Sequence, residues 1–205
     1  MEHIIGVVDY GVSNTGSIIN MLKKIGVDSV VIRTPDELDA CDKIILPGVG
    51  SFDYGMTCLE SNGMANGLRQ KAKLQIPILG ICLGMQMLGE GSEEGEKDGL
   101  GILPFYCKRF KIPSNSELRI PHMGWDLANI EQDSYLTEGL PADSRFYFVH
   151  SYYVDPYDDS IILMTCDYGI KFAAAVKTGS IIGVQFHPEK SHKFGMMLLR
   201  NFVRR

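Results

Sequence analysis

Pro77-Ile78-Leu79-Gly80-Ile81-Cys82-Leu83-Gly84-Met85-Gln86 is an apolar strand-like run leading into a helix-forming segment, with a glycine two residues before the thiol and another two after it. This is the G-x-nucleophile-x-G elbow with cysteine in the place of serine. A side chain at so tight a turn stands above the strand end, and small flanking residues let neighbouring segments approach it. The helix N-terminus that follows favours a thiolate and offers free amides to an oxyanion. The plainer reading is a buried cysteine in a glycine-bounded turn.

Working outward, β-branched apolar runs recur at 4–8, 29–32, 43–46 and 78–81, with helical segments such as 18–25 and 64–73 between them. That alternation predicts βαβ units around a parallel sheet, and the near-continuous apolar strands predict burial on both faces. From residue 146 the pattern changes to closely spaced strands at 146–154, 161–166, 172–177 and 181–186, then a last helix over 192–203. The second half therefore adds a more antiparallel layer. With no repeat, low-complexity tract or linker, the expectation is one domain over 1–205. The acidic stretch 92–98 reads as a solvated surface loop.

Composition narrows the classes. Twenty Lys+Arg against 25 Asp+Glu leave a net charge of −5, the wrong sign for a nucleic-acid binder. An apolar fraction of 45% with 22% charged residues over 205 residues suits a folded core and argues against disorder. No apolar run reaches bilayer length, so no membrane role and a cytoplasmic location are expected. The five scattered cysteines (Cys41, Cys58, Cys82, Cys107, Cys166) have neither zinc nor disulfide spacing, and no metal site is expected.

A cysteine nucleophile needs a base, and His187 is the best of five histidines. It ends the apolar run from Ile181 to Phe186 and precedes Pro188 and Glu189. Strand ends are where sites assemble in α/β sheets. Pro188 stiffens the spacer, so that Glu189 can turn back and orient the imidazole as the third member of a triad. A lone strand-end histidine would more often be a satisfied polar residue. Gln86, one helical turn beyond Cys82, shares its face and can reach a substrate, or is an ordinary polar helix residue.

Gly80-Ile81-Cys82-Leu83-Gly84-Met85-Gln86 with His187-Pro188-Glu189 resembles the class I glutamine amidotransferases, whose Cys-His-Glu triad hydrolyses glutamine to glutamate and ammonia. Pro47-Gly48-Val49-Gly50, Pro121-His122-Met123-Gly124-Trp125 and Tyr147-Phe148-Val149-His150-Ser151-Tyr152 narrow the resemblance to the branch that serves imidazole glycerol phosphate synthase in histidine biosynthesis. The fold it implies is flavodoxin-like: a mostly parallel central sheet flanked by helices, with extra antiparallel strands in the C-terminal half. No cofactor is implied.

The resemblance also implies roles. Cys82 attacks the carboxamide, and His187 takes the thiol proton and returns it to the leaving ammonia. Val49 and Leu83 amides form the oxyanion hole, the former only if its strand presents it correctly. Gly50, Gln86 and Ser151 hold glutamine. Asn14, Pro121, Trp125, Tyr147 and Lys190 belong to a surface that docks a (β/α)₈ cyclase barrel, though a Trp in a Pro/Gly-punctuated loop could equally anchor a core. His122 and His150 are structural or interface residues. Asp126 and Ser13 depart from the family's usual Gly-Trp-Asn and Asp-Tyr-Gly-x-Gly-Asn. Two alternatives remain: a paralogue supplying ammonia for amidination of a surface-polysaccharide sugar, and a non-catalytic binding or chaperone-like protein on the same fold.

Overall fold

The computed structural model describes residues 3–112 and 116–204. Its first half is built from β1 (Ile5–Val8), α1 (Thr15–Lys24), β2 (Ser29–Ile32), β3 (Lys43–Gly48), α2 (Phe52–Ser61), α3 (Met64–Lys73), β4 (Ile78–Cys82) and α4 (Leu83–Met87). The second half adds β5 (Gly91–Ser92), β6 (Phe105–Arg109), β7 (His122–Leu127), β8 (Asn129–Ile130), β9 (Arg145–His150), β10 (Tyr152–Pro156), β11 (Ile162–Asp167), β12 (Lys171–Thr178), β13 (Ile181–Val184) and α5 (His192–Arg204).

The main sheet runs β2-β1-β3-β4-β13-β12-β10-β6-β5. Its first five strands are parallel, and β12, β10 and β6 then continue antiparallel. Alternation along each strand sorts the core into two layers, as a sheet buried on both faces requires. Ile44, Leu46 and Ile78 face Phe52, Met56, Leu59 and Leu68 of α2 and α3, whereas Ile45, Leu79 and Ile81 face Ile18, Leu22, Leu198 and Phe202 of α1 and α5.

The run 146–154 is not one strand. It divides at Ser151 into β9, which pairs with β7 in a separate two-stranded ribbon, and β10, which enters the main sheet. All five cysteines are free. Among the described residues no helix is long and apolar enough to cross a membrane.

Candidate active site

Cys82 ends β4 with φ +54° and ψ −112°, a setting that costs an L-residue about 1–3 kcal/mol and persists only when its surroundings over-determine it. Here they do. A Cβ on Gly84 would run into the Leu46 carbonyl, and one on Gly80 would lie 2.7 Å from Leu88 Cδ1, so both glycines are needed to press α4 against β3 and β4. Cys82 is 7% exposed. Gln185 Nε2 donates to its Sγ from 3.8 Å, and the Val149 carbonyl lies 4.0 Å away. Because α4 is only five residues long, its N-terminal charge is weaker than a full helix would supply; Leu83, its first residue, still has an amide with no acceptor inside the helix.

β13 lies parallel to β4, with Val184 opposite Ile81, so the chain leaving β13 carries His187 to the same end of the sheet as Cys82. His187 N–H donates to the Tyr147 carbonyl at 2.9 Å, and the His187 carbonyl accepts the Ser191 hydroxyl at 2.6 Å. Pro188 starts a 3₁₀ turn, Pro188–Lys190, which brings Glu189 Oε1 to 2.7 Å from His187 Nδ1 with both side chains 2% exposed. His187 Nε2 and Glu189 Oε2 are buried without a hydrogen-bond partner. Burial of the ring opposes its charge, but the Cys82 thiol and Glu189 outweigh that and raise His187 to about 9. The arrangement is a buried nucleophile, an imidazole whose orientation is fixed through Nδ1 and a carboxylate behind it.

A cavity of about 330 Å³ opens onto the thiol, and Val49, Gly50, Leu83, Gln86, Ser151 and His187 line it together with Pro121, Glu94, Val149, His150 and Tyr152. Gly50 has φ +99°. The Val49 amide donates to the Val12 carbonyl at 3.2 Å, so in this conformation it is not offered to an oxyanion. Both Nε2 protons of Gln86 are engaged, by the Tyr152 carbonyl and Gln185 Oε1, each at 3.1 Å. What Gln86 can offer a substrate is its carbonyl oxygen.

A family model described as glutamine amidotransferase class-I matches residues 6–205. The chain belongs to the class I glutamine amidotransferases. This amidotransferase is 48% identical over 98% of its length, and 99% of the relative's, to "Imidazole glycerol phosphate synthase subunit HisH 2" of Methanococcus maripaludis. It is 45% identical to the subunit of the same name in Pseudomonas aeruginosa, over 98% of each chain. Among solved structures it superposes on PurLQS from Thermotoga maritima with a TM-score of 0.77 at 20% identity, covering 99% of this chain and 98% of that one. A chain described as glutamine amidotransferase gives 0.76 at 19%, covering 97% and 96%. These two likenesses establish the fold.

Outside the cavity, the amidotransferase gathers three of the five proposed docking residues. Trp125 is 41% exposed, lies 6.0 Å from the Tyr147 ring and stacks on His192 at 5.2 Å. Lys190 Nζ sits 5.4 Å over Tyr147. Pro121 instead walls the cavity, and Asn14 precedes α1 half-buried with no capping bond from its side chain.

Three participants escaped sequence reasoning. Gln185, which contacts both Cys82 and Gln86, lies two residues before His187, and the period of two along an extended chain was the available signal. Glu94 corrects the solvated reading of the 92–98 loop: its carboxylate accepts the Phe52 amide at 2.9 Å while facing the cavity, and burial raises its pKa. Tyr10 buries an unpartnered hydroxyl behind Gly48; burial and then the nearby Cys82 raise its pKa.

Proposed function

We propose that this chain, read as one amidotransferase domain, is the glutaminase subunit of an imidazole glycerol phosphate synthase, working in the cytoplasm with a (β/α)₈ cyclase partner. The buried Cys82, His187 and Glu189 at adjoining strand ends carry the reading. Cys82 adds to the glutamine carboxamide carbon, and the oxyanion is held by the Leu83 amide and by the Val49 amide once that peptide turns inward. His187 Nε2 then protonates the nitrogen, the C–N bond breaks and ammonia leaves. Water activated by the same imidazole hydrolyses the γ-glutamyl thioester. Gly50, Ser151 and the Gln86 carbonyl grip glutamine, and the Trp125-Tyr147-Lys190 patch docks the barrel so that ammonia passes directly to it.

A departure in the sequence supports a second acceptor. Asp126 stands on β7 where the family usually carries asparagine. The paralogous role, ammonia for amidination of a surface-polysaccharide sugar, uses the same triad. Pairing the purified chain with candidate barrels and measuring glutamate release separates the two by which barrel supports turnover. With the matching barrel, Cys82→Ala abolishes glutamine hydrolysis while synthesis from added ammonia survives; loss of both activities in an assembled complex contradicts the division of labour.

A further inference from the structure

Between the β7–β9 ribbon and the glutamine cavity runs a line of hydrogen bonds that the triad does not use. Asp126 Oδ2 lies 3.1 Å from His122 Nε2, His122 Nδ1 lies 3.1 Å from His150 Nε2, and His150 Nδ1 lies 2.8 Å from the Tyr152 carbonyl. That carbonyl is the one that also accepts Gln86 Nε2. Both imidazoles are buried, and the His122 ring is stacked between Phe148 at 4.8 Å and Tyr168 at 3.9 Å. Neither ring is free to turn away from its neighbours.

The proton count sets what the line demands. Three hydrogen bonds need three donors, two neutral imidazoles bring one each, and a carboxylate brings none. The Tyr152 carbonyl can only accept, so His150 spends its proton at Nδ1 and presents a lone pair at Nε2. His122 must then donate from Nδ1, which leaves its Nε2 facing Asp126 with no proton between them. A third proton, shared by His122 and Asp126, completes the line.

We propose that Asp126, His122 and His150 are positioning residues for glutamine binding: with the third proton present they hold the Tyr152 carbonyl and, through it, Gln86, and they loosen that hold when the proton leaves. The kinetic part rests on the glutaminase reading above. The stronger, charge-assisted hydrogen bond is that of Asp126 with His122. On deprotonation His122 therefore keeps its remaining proton at Nε2, and the hydrogen bond that breaks is the one to His150, next to the cavity.

Among the described residues, the titratable groups that face His122 are few. Besides Asp126 on its own strand they are His150 from β9, the Tyr168 ring and Cys166 of β11, whose Sγ lies within 4.8 Å of both His122 and Asp126; His187 lies beyond His150 and acts on it. Burial, and then Asp126, push the Cys166 thiol up to about 12, so it stays neutral. Burial drives His150 down to about 3, which excludes it as the charged ring. Burial also lowers His122 below the ordinary histidine value, against the pull of Asp126. The line is therefore complete in acid and opens as pH rises through a value below that of free histidine.

Asp126→Asn supplies the discriminating variant, because an asparagine amide donates to His122 Nε2 and completes the same three hydrogen bonds with two neutral rings at every pH. In the complex with its barrel, KM for glutamine is expected to rise roughly threefold to tenfold from the acid side of the His122 transition to its alkaline side, the ratio one neutral hydrogen bond gives. D126N should stay flat, while the His187 limb is common to both proteins. Imidazole ¹⁵N shifts of the histidine-labelled chain give a readout independent of turnover. They should show His122 protonated at both nitrogens in acid and only at Nε2 in base, but a neutral ring with its proton on Nδ1 throughout in D126N. Unchanged neutral tautomers across the range, or the same KM profile in both proteins, would overturn the proposal. A complex that releases no glutamate at any pH defeats the glutaminase reading instead, and the ring-nitrogen shifts of the unsubstituted chain still decide the proton count.

Discussion

At the scale of single residues, Glu189 works through one 2.7 Å hydrogen bond to His187. Together with the Cys82 thiol it keeps the imidazole charged until about pH 9. The folded value is raised, so the charged ring is fully present below the ordinary histidine range and disappears as pH rises through about 9. Glu189→Gln removes one of the two groups that raise it, and the alkaline limb of the glutaminase rate should move to lower pH. Turnover should also fall about tenfold or more, since the glutamine side chain no longer enforces the tautomer. A pH–rate profile of the complex checks both, and an unmoved alkaline limb would place Glu189 outside the proton path. The double change with His187→Ala should add little to the single effect, because triad members act as a unit.

At the scale of elements, the Pro47-Gly48-Val49-Gly50 segment and the β4–α4 elbow answer to different forces. The Val49 amide is spent on the Val12 carbonyl, and the flanking glycines permit that peptide to turn. The isolated chain is therefore expected to be a poor glutaminase, slower by about a hundredfold or more than the complex with acceptor bound, as for any site lacking one oxyanion donor. Glutamate release by the free chain, the complex, and the complex with acceptor tests this; equal rates would mean a preformed site. The elbow tolerates no such freedom. Gly84→Ala sets a methyl group against the Leu46 carbonyl and should destabilise the fold by about 2 kcal/mol or more in urea unfolding.

For the whole molecule, the exposed Trp125 and Lys190 meet around Tyr147 on one face, while the triad lies buried beside the cavity. Trp125→Ala should weaken barrel association by about 2 kcal/mol or more, the usual cost of truncating a central interface aromatic. Lys190→Glu should weaken it as well, by reversing a charge and removing the cation over the Tyr147 ring. Neither side chain is core, so thermal unfolding of the free chain should hardly change. Titration calorimetry with the barrel checks both, and unchanged affinity in both variants rules the face out.

The sequence by itself determined the parallel half of the sheet, because alternating β-branched runs and helical periods are local signals. It also marked the elbow thiol and the His187-Pro188-Glu189 turn, whose chemistry is written within a few consecutive residues. Only the tertiary structure decided that residues 146–154 divide at Ser151 between two sheets, since an apolar run is compatible with either partner strand. It likewise decided that Gln185 bridges Cys82 and Gln86, that Glu94 faces the cavity, that Val49 turns its amide to Val12, and that Asp126, His122 and His150 join in one line. Those contacts connect segments far apart in the chain, and the partner of a buried polar atom is set by how strands close on one another, for which local pattern carries no signal.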